Sequence, residues 1–227
     1  MSKRRVQPAP AAELTEPALP MRPLPALAIT VLLVAVVVAG GIGLDRTAHP
    51  PPSGAFAGCR TATQLAPNLY EGPPPMCIDT RKTYNGTIKT TKGDFSFVFL
   101  TTSAPKTVNN FIVLAVHGYF NGLTFFRVED WVAQTGDPQN DGRGGPGYTL
   151  PPEPPGPSDR WVPGSLGMAR FPGDGISGSQ FFILKGAWPG GDPTTVYNHF
   201  ATITLGFDVV GQLTASDRIL GVQVKRS

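Results

Sequence analysis

Phe95, Phe97 and Phe99 alternate with Ser96 and Val98, a period of two that a helix cannot gather onto one face but a strand buries on one side. Gly86 to Thr90 precede this run across Thr91-Lys92-Gly93-Asp94, so a hairpin with one aromatic side is expected. Asn85-Gly86-Thr87 also admits a hairpin turn or a glycosylation acceptor. A helix is predicted next. Ser103 stands where a cap would, Pro105 suits the first turn, and Val108, Phe111, Ile112 and Ala115 fall at i, i+3, i+4, i+7 before His117-Gly118. His117 near the negative helix end reads as a helix-end residue rather than a ligand. Strand-like pieces then run from Leu123 to Val128, Trp131 to Gln134, Phe181 to Leu184, Phe200 to Leu205 and Ile219 to Lys225, and only Phe207 to Leu213 offers a second short helix. Many strands with one or two helices at the ends predict a mainly β fold, a closed antiparallel barrel.

No residue between Arg22 and Asp45 is charged. At roughly 1.5 Å per residue, residues 23–44 are long enough to cross a hydrocarbon core of about 30 Å. Lys3, Arg4, Arg5 and Arg22 precede the run, and Arg46 beyond it is offset by Asp45, so the N-terminus is expected in the cytoplasm and the rest outside. The apolar run exceeds the about 7–15 residues of a secretory leader and lacks a clear small-x-small exit, which favours a retained anchor at the cell membrane over a cleaved leader. Composition then divides the chain into a Pro- and Ala-rich cytoplasmic tail (1–22), one transmembrane helix (23–44), a Pro/Gly-rich linker (45–77) and a domain (78–227) large enough for one core.

Cys59 and Cys77 are the only cysteines, and outside the anchor they are expected to pair, two unrelated buried thiols being the other reading. Closing that loop contributes about 3 kcal/mol on the chain-entropy model. Two cysteines this far apart without a histidine cluster do not make a zinc site, so no metal is expected. The net charge of +3 comes partly from the N-terminal flank, and without a basic stripe interleaved with aromatics no nucleic-acid partner is expected.

Two familiar catalytic patterns fail on context. Gly142-Arg143-Gly144-Gly145-Pro146-Gly147 fits G-x-G-x-x-G, but Pro146, Pro151 and Pro152 prevent the helix whose N-terminus would hold a pyrophosphate. Gly175-Ile176-Ser177-Gly178-Ser179 approaches a nucleophile elbow but ends in serine, and neither His117 nor His199 has an evident acidic orienter. No cofactor is called for. By contrast, Phe125-Phe126-Arg127-Val128 leading to Gln134-Thr135-Gly136-Asp137-Pro138, and Gly178-Ser179-Gln180-Phe181-Phe182-Ile183, each set one polar side chain able to donate planar hydrogen bonds among aromatics. Such a pairing suits a pocket that holds an apolar group while touching one amide, which is peptide recognition rather than hydrolysis.

These runs, with Asn109-Asn110-Phe111, Gly122-Leu123-Thr124-Phe125, the glycine-rich 142–148 stretch and Gly167-Met168-Ala169, occur in order from about Thr83 to Arg226. The set resembles the cyclophilin-type peptidyl-prolyl isomerases. The resemblance implies a closed eight-stranded antiparallel barrel capped by two helices, with the substrate groove on its outer face and proline-containing polypeptides as substrates. It makes Arg127 the catalytic residue, places Trp131, Val132 and Phe182 around the proline, and sets Gln134, Gly142, Ala169, Arg170 and Gln180 along the substrate backbone. Tyr197 would close the pocket rim. Against the family pattern, Phe126 replaces a histidine, Thr135 a glycine and Arg170 an asparagine, and the stretch from Arg127 to Gln134 is one residue short. A non-catalytic proline-peptide-binding or holdase module on the same scaffold is the competing expectation.

Overall fold

The computed structural model describes residues 49–156, 160–171, 173, 175–189 and 196–227. The expected tail (1–22) and transmembrane helix (23–44) lie outside the described residues. Among the described residues no helix is long and apolar enough to cross a membrane.

A small hairpin comes first, β1 (Gln64–Ala66) against β2 (Leu69–Tyr70). The main sheet then takes β3 (Tyr84–Thr90), β4 (Gly93–Phe99), β5 (Arg127–Val128), β6 (Val132–Thr135), β7 (Thr149–Leu150), β8 (Ser165–Phe171), β9 (Gly175–Leu184), β10 (His199–Leu205) and β11 (Ile219–Arg226). Helix α1 (Pro105–Val116) lies between β4 and β5, and α2 (Phe207–Gly211) between β10 and β11. The antiparallel order is β11-β3-β4-β10-β8-β9-β6-β5, with β7 also paired to β9.

The expected closed barrel is open in its strand ladder. Its ends, β11 and β5, meet only around the bridge Thr124↔Arg218, where Gly122 N donates to Ile219 O, Ile219 N to Leu123 O and Phe125 N to Asp217 O. The reason is local: β5 is two residues long, and the loop and turns before it leave too little extended backbone to run along β11. The strand count differs as well, since among the described residues the sheet has nine strands rather than eight.

In the β3–β4 hairpin, Asn85 pairs Val98 and Thr90 pairs Gly93, and Phe95, Phe97 and Phe99 all point into the core. Asn85-Gly86-Thr87 is thus strand, not turn. Gly86 is required there because a Cβ would collide with the Phe97 ring, and a strand glycine commonly marks such a close approach.

Helix α1 carries the predicted stripe, with Val108, Phe111, Ile112 and Ala115 all buried. Gly118, at φ +75, turns the chain after it, and Tyr119 N reaches back to Leu114 O. The cap is not Ser103. Ala104 occupies the N-cap without a side-chain bond, and the free N–H groups of Lys106 and Thr107 go to the Glu153 carboxylate at 2.9 and 2.8 Å, which also accepts from Thr107 Oγ1 at 2.7 Å. Asn198 braces this cap, accepting from Glu153 N and donating to Thr107 Oγ1. Glu153→Ala strips two helix donors of their acceptor and is expected to cost about 1–2 kcal/mol. A lowered midpoint in urea unfolding checks this, with an unchanged midpoint counting against the cap.

Residues 49–77, whose Pro/Gly content predicts an extended linker, pack on the domain instead. Phe56, Cys59 and Tyr70 are buried, Cys59 and Cys77 are bonded, and Tyr70 N donates to Pro146 O. Asn109 of α1 fastens the end of the segment, accepting from Cys77 N at 2.8 Å and donating to Pro75 O at 3.0 Å. His117 Nε2 lies 3.0 Å from Cys59 O. Three anchors spaced along a proline-rich stretch suffice to dock it, because its stiffness leaves less entropy to lose.

Candidate active site

Directly opposed residues in neighbouring antiparallel strands share a face. Along the ladder Arg127 opposes Gln134, Gln134 opposes Phe182, Phe182 opposes Gly167, and Gly167 opposes His199. One row thus crosses five strands from β5 to β10. The intervening residues Ala133, Thr135, Phe181 and Ile183 are buried, and Phe181 lies 5.3 Å, ring to ring, from Phe111 of α1 in the core. The row itself therefore lies on the outer side of the sheet.

The β5–β6 hairpin turns on Asp130 and Trp131, with Val128 paired to Ala133 and Glu129 N donating to Val132 O at 2.8 Å. This tight loop is the structural form of the one-residue shortening. It brings the Arg127 guanidinium to 5.3 Å from the centre of the Trp131 ring, with Nη1 3.4 Å from Gln134 Oε1. Glu129 uses one carboxylate oxygen on Arg127 Nε and the other on Trp131 Nε1, both at 2.7 Å. The Arg127 hydrogen bond, then that from Trp131, holds the Glu129 carboxyl below its usual range.

Gln134 Nε2 donates to Gln180 Oε1 at 3.1 Å, and Gln180 Nε2 donates to Gly144 O at 2.8 Å. The amide chain thus runs from the cation to the glycine-rich loop. Asp137, fully buried, organises that loop by accepting from the backbone N–H of Gln139, Asp141, Gly142 and Gly144.

Beside the cation lies an aromatic cluster. Val132, Phe182 and Leu184 form its buried base, and Trp131, Trp161, Trp188 and Tyr197 pack on them half-exposed. Trp188 sits 5.4 Å from Trp131, 5.5 Å from Phe182 and 5.3 Å from Tyr197, centroid to centroid. Trp161 stacks on Phe182 at 5.6 Å and on His199 at 4.6 Å.

The structure therefore brings Arg127, Trp131, Val132, Gln134, Gln180, Phe182 and Tyr197 together. Gly142, Ala169 and Arg170 do not join the aromatic cluster. Gly142 N is tied to Asp137, while Ala169 and Arg170 sit at the register shift of β8 against β9, with Arg170 Nη1 3.4 Å from Val196 O. Sequence reasoning missed Glu129, Trp161 and Leu184. Trp161 carried a signal, a lone indole in a Gly/Pro loop, but no periodicity to aim it. Its place is explained by Gly167, where a Cβ would stand 2.6 Å from Trp161 Cη2 and collide with the Phe182 ring.

Gly167→Ala is accordingly expected to push both rings toward the groove. Overpacking of this kind costs roughly 1–3 kcal/mol of folding stability, so the midpoint of urea unfolding should fall, with a change in tryptophan fluorescence. An unaltered midpoint and emission would show that the rings do not depend on the space at Gly167. Among the described residues no three His, Cys, Asp or Glu side chains are grouped to hold a metal ion.

The fold agrees with what the chain is similar to. The family model for cyclophilin type peptidyl-prolyl cis-trans isomerase/CLD matches residues 86–226. A peptidyl-prolyl cis-trans isomerase of Synechococcus elongatus is 36% identical over 138 residues, covering 60% of this chain and 93% of the relative. One from Helicobacter pylori is 42% identical over 103 residues, 45% of this chain, and the match spans 63% of that relative's length. The crystal structure of a Cryptosporidium parvum cyclophilin type isomerase in the presence of the dipeptide Ala-Pro superposes with a TM-score of 0.56 at 25% identity, covering 62% of this chain and 98% of that one. A half-barrel with this site, matched over most of its strands, belongs to the cyclophilin-type peptidyl-prolyl cis-trans isomerase family.

Proposed function

We propose that this isomerase acts on Xaa-Pro bonds of exported polypeptides, with Arg127 as its catalytic residue and the slot between Trp131, Val132, Phe182 and Tyr197 as its proline site. The observation that carries the reading is the single outer row in which Arg127, Gln134 and Phe182 face one another across three strands. Rotation about an Xaa-Pro bond is slow because amide resonance must be broken, at a barrier of roughly 18–20 kcal/mol. In the twisted transition state the prolyl nitrogen regains a localised lone pair. A guanidinium beside it donates more strongly to that state than to the planar amide, and such differential binding lowers the barrier. Arginine stays charged at any physiological pH. The slot holds the pyrrolidine ring by apolar contact, while Gln134, Gln180, Gly142, Ala169 and Arg170 run along the substrate backbone. No nucleophile, proton relay or cofactor enters the step.

Export and tethering rest on the uncharged run at 23–44, its basic flank and a cysteine pair suited to an oxidising compartment. In this reading 1–22 is cytoplasmic and the isomerase domain (78–227), with residues 49–77 packed on it, is extracytoplasmic at the cell membrane. The ion pair that engages Arg127 Nε favours a second reading, a module that binds proline peptides without turnover. A coupled assay of tetrapeptide isomerisation by the purified full chain, run beside a peptide-binding titration, separates them. Accelerated relaxation supports the enzyme, and saturable binding with an unaltered isomerisation rate supports the module. Protease accessibility of the domain in intact cells tests the topology, with resistance to external protease counting against export.

A further inference from the structure

Arg127 and Glu129 are two residues apart on an extended segment and so leave it on the same side, and the two-residue loop returns Trp131 beside them. Both oxygens of Glu129 are committed, to Arg127 Nε and to Trp131 Nε1. The ion pair is exposed, with side chains 43% and 46% accessible, and pairs of that kind add little to folding stability. Its geometric consequence is larger. An arginine on a two-residue strand has a long, many-rotamer side chain, and holding Nε fixes the plane of the guanidinium while leaving its terminal amino groups outside that ion pair. Nη1 then lies by Gln134 Oε1 and the cation stands over the Trp131 ring.

We infer that Glu129 is a positioning residue: its carboxylate clamps the guanidinium of Arg127 to the indole of Trp131, setting the distance between the cation and the aromatic slot. The inference rests on the reading of Arg127 as the catalytic cation. Two opposite effects follow from one carboxylate, since it orients the guanidinium and also partly neutralises it. At an accessible site water already screens the charge, so orientation outweighs neutralisation.

The test uses the full chain and a proline tetrapeptide, measuring kcat and KM for Glu129→Gln, Glu129→Ala, Arg127→Ala and the Arg127→Ala/Glu129→Ala double variant. Glu129→Ala is expected to lower kcat about tenfold with KM nearly unchanged. Glu129→Gln keeps one acceptor oxygen and should fall between it and the native chain. In the Arg127→Ala background, removing Glu129 should cause no further loss, because there is no guanidinium left to position. An unchanged or raised kcat in Glu129→Ala, or an equal loss with and without Arg127, overturns the inference while leaving Arg127 in place. Full activity in Arg127→Ala removes the reading beneath it.

Discussion

Replacing Arg127 with alanine is expected to lower kcat/KM for an Xaa-Pro tetrapeptide by about a thousandfold, equivalent to roughly 4 kcal/mol of transition-state stabilisation. The loss should fall on kcat. Under the proposed mechanism the planar substrate is held chiefly by the aromatic slot and the Gln134–Gln180 amides, which the substitution leaves in place, whereas the guanidinium bonds best to the twisted state. Arg127→Lys separates charge from shape. An ammonium cannot reproduce the fork that reaches Glu129 and Gln134 together, so lysine should recover only a minor part of the rate. Circular dichroism and the thermal midpoint should scarcely change, because Arg127 is on an exposed edge and its ion pair is open to solvent. Retained turnover in both variants would mean that the rate enhancement arises from the slot alone.

What was legible in the chain is what depends on neighbours in sequence. The Phe95, Phe97, Phe99 alternation and the Val108, Phe111, Ile112, Ala115 stripe each describe one element, and both elements are present with those residues buried. The motif runs around Arg127, Gln134 and Gln180 placed the row from which the site is built. Contacts between distant segments were not legible. Glu153 caps α1 from forty-six residues away, and no local pattern marks an acid for that task. Trp161 enters the site through space that Gly167 leaves vacant on another strand. The strand β8 escaped the reading because both of its faces are covered, so Ser165 to Ala169 are all buried and no alternation appears. Closure of the barrel was overestimated because a short, turn-interrupted β5 is indistinguishable by composition from a full edge strand.

Phe111→Ala is expected to cost about 3–5 kcal/mol of folding stability, and it shows how the core bears on the site. Phe111 is fully buried and stacks on Phe120 at 4.7 Å, with Phe200 at 5.0 Å, Phe181 at 5.3 Å and Phe99 at 5.7 Å. These rings come from four further elements of the chain, so none can follow the missing side chain inward without dragging a strand or turn. Truncation thus leaves a cavity that collapses poorly, which is the condition for the upper end of the range. At about 2–4 °C per kcal/mol for a domain of this size, the thermal midpoint should drop by roughly 10 °C. Catalysis should respond differently. Phe181 faces the cavity, but its neighbours Gln180 and Phe182 face the groove and are held there by Gly144 and by the Trp161 stack. Well below the new midpoint the folded molecules should keep near-native kcat/KM. A stability loss with activity preserved locates the work of Phe111 in the core, whereas a rate loss at low temperature would show that strand β9 transmits core packing to Gln180 and Phe182.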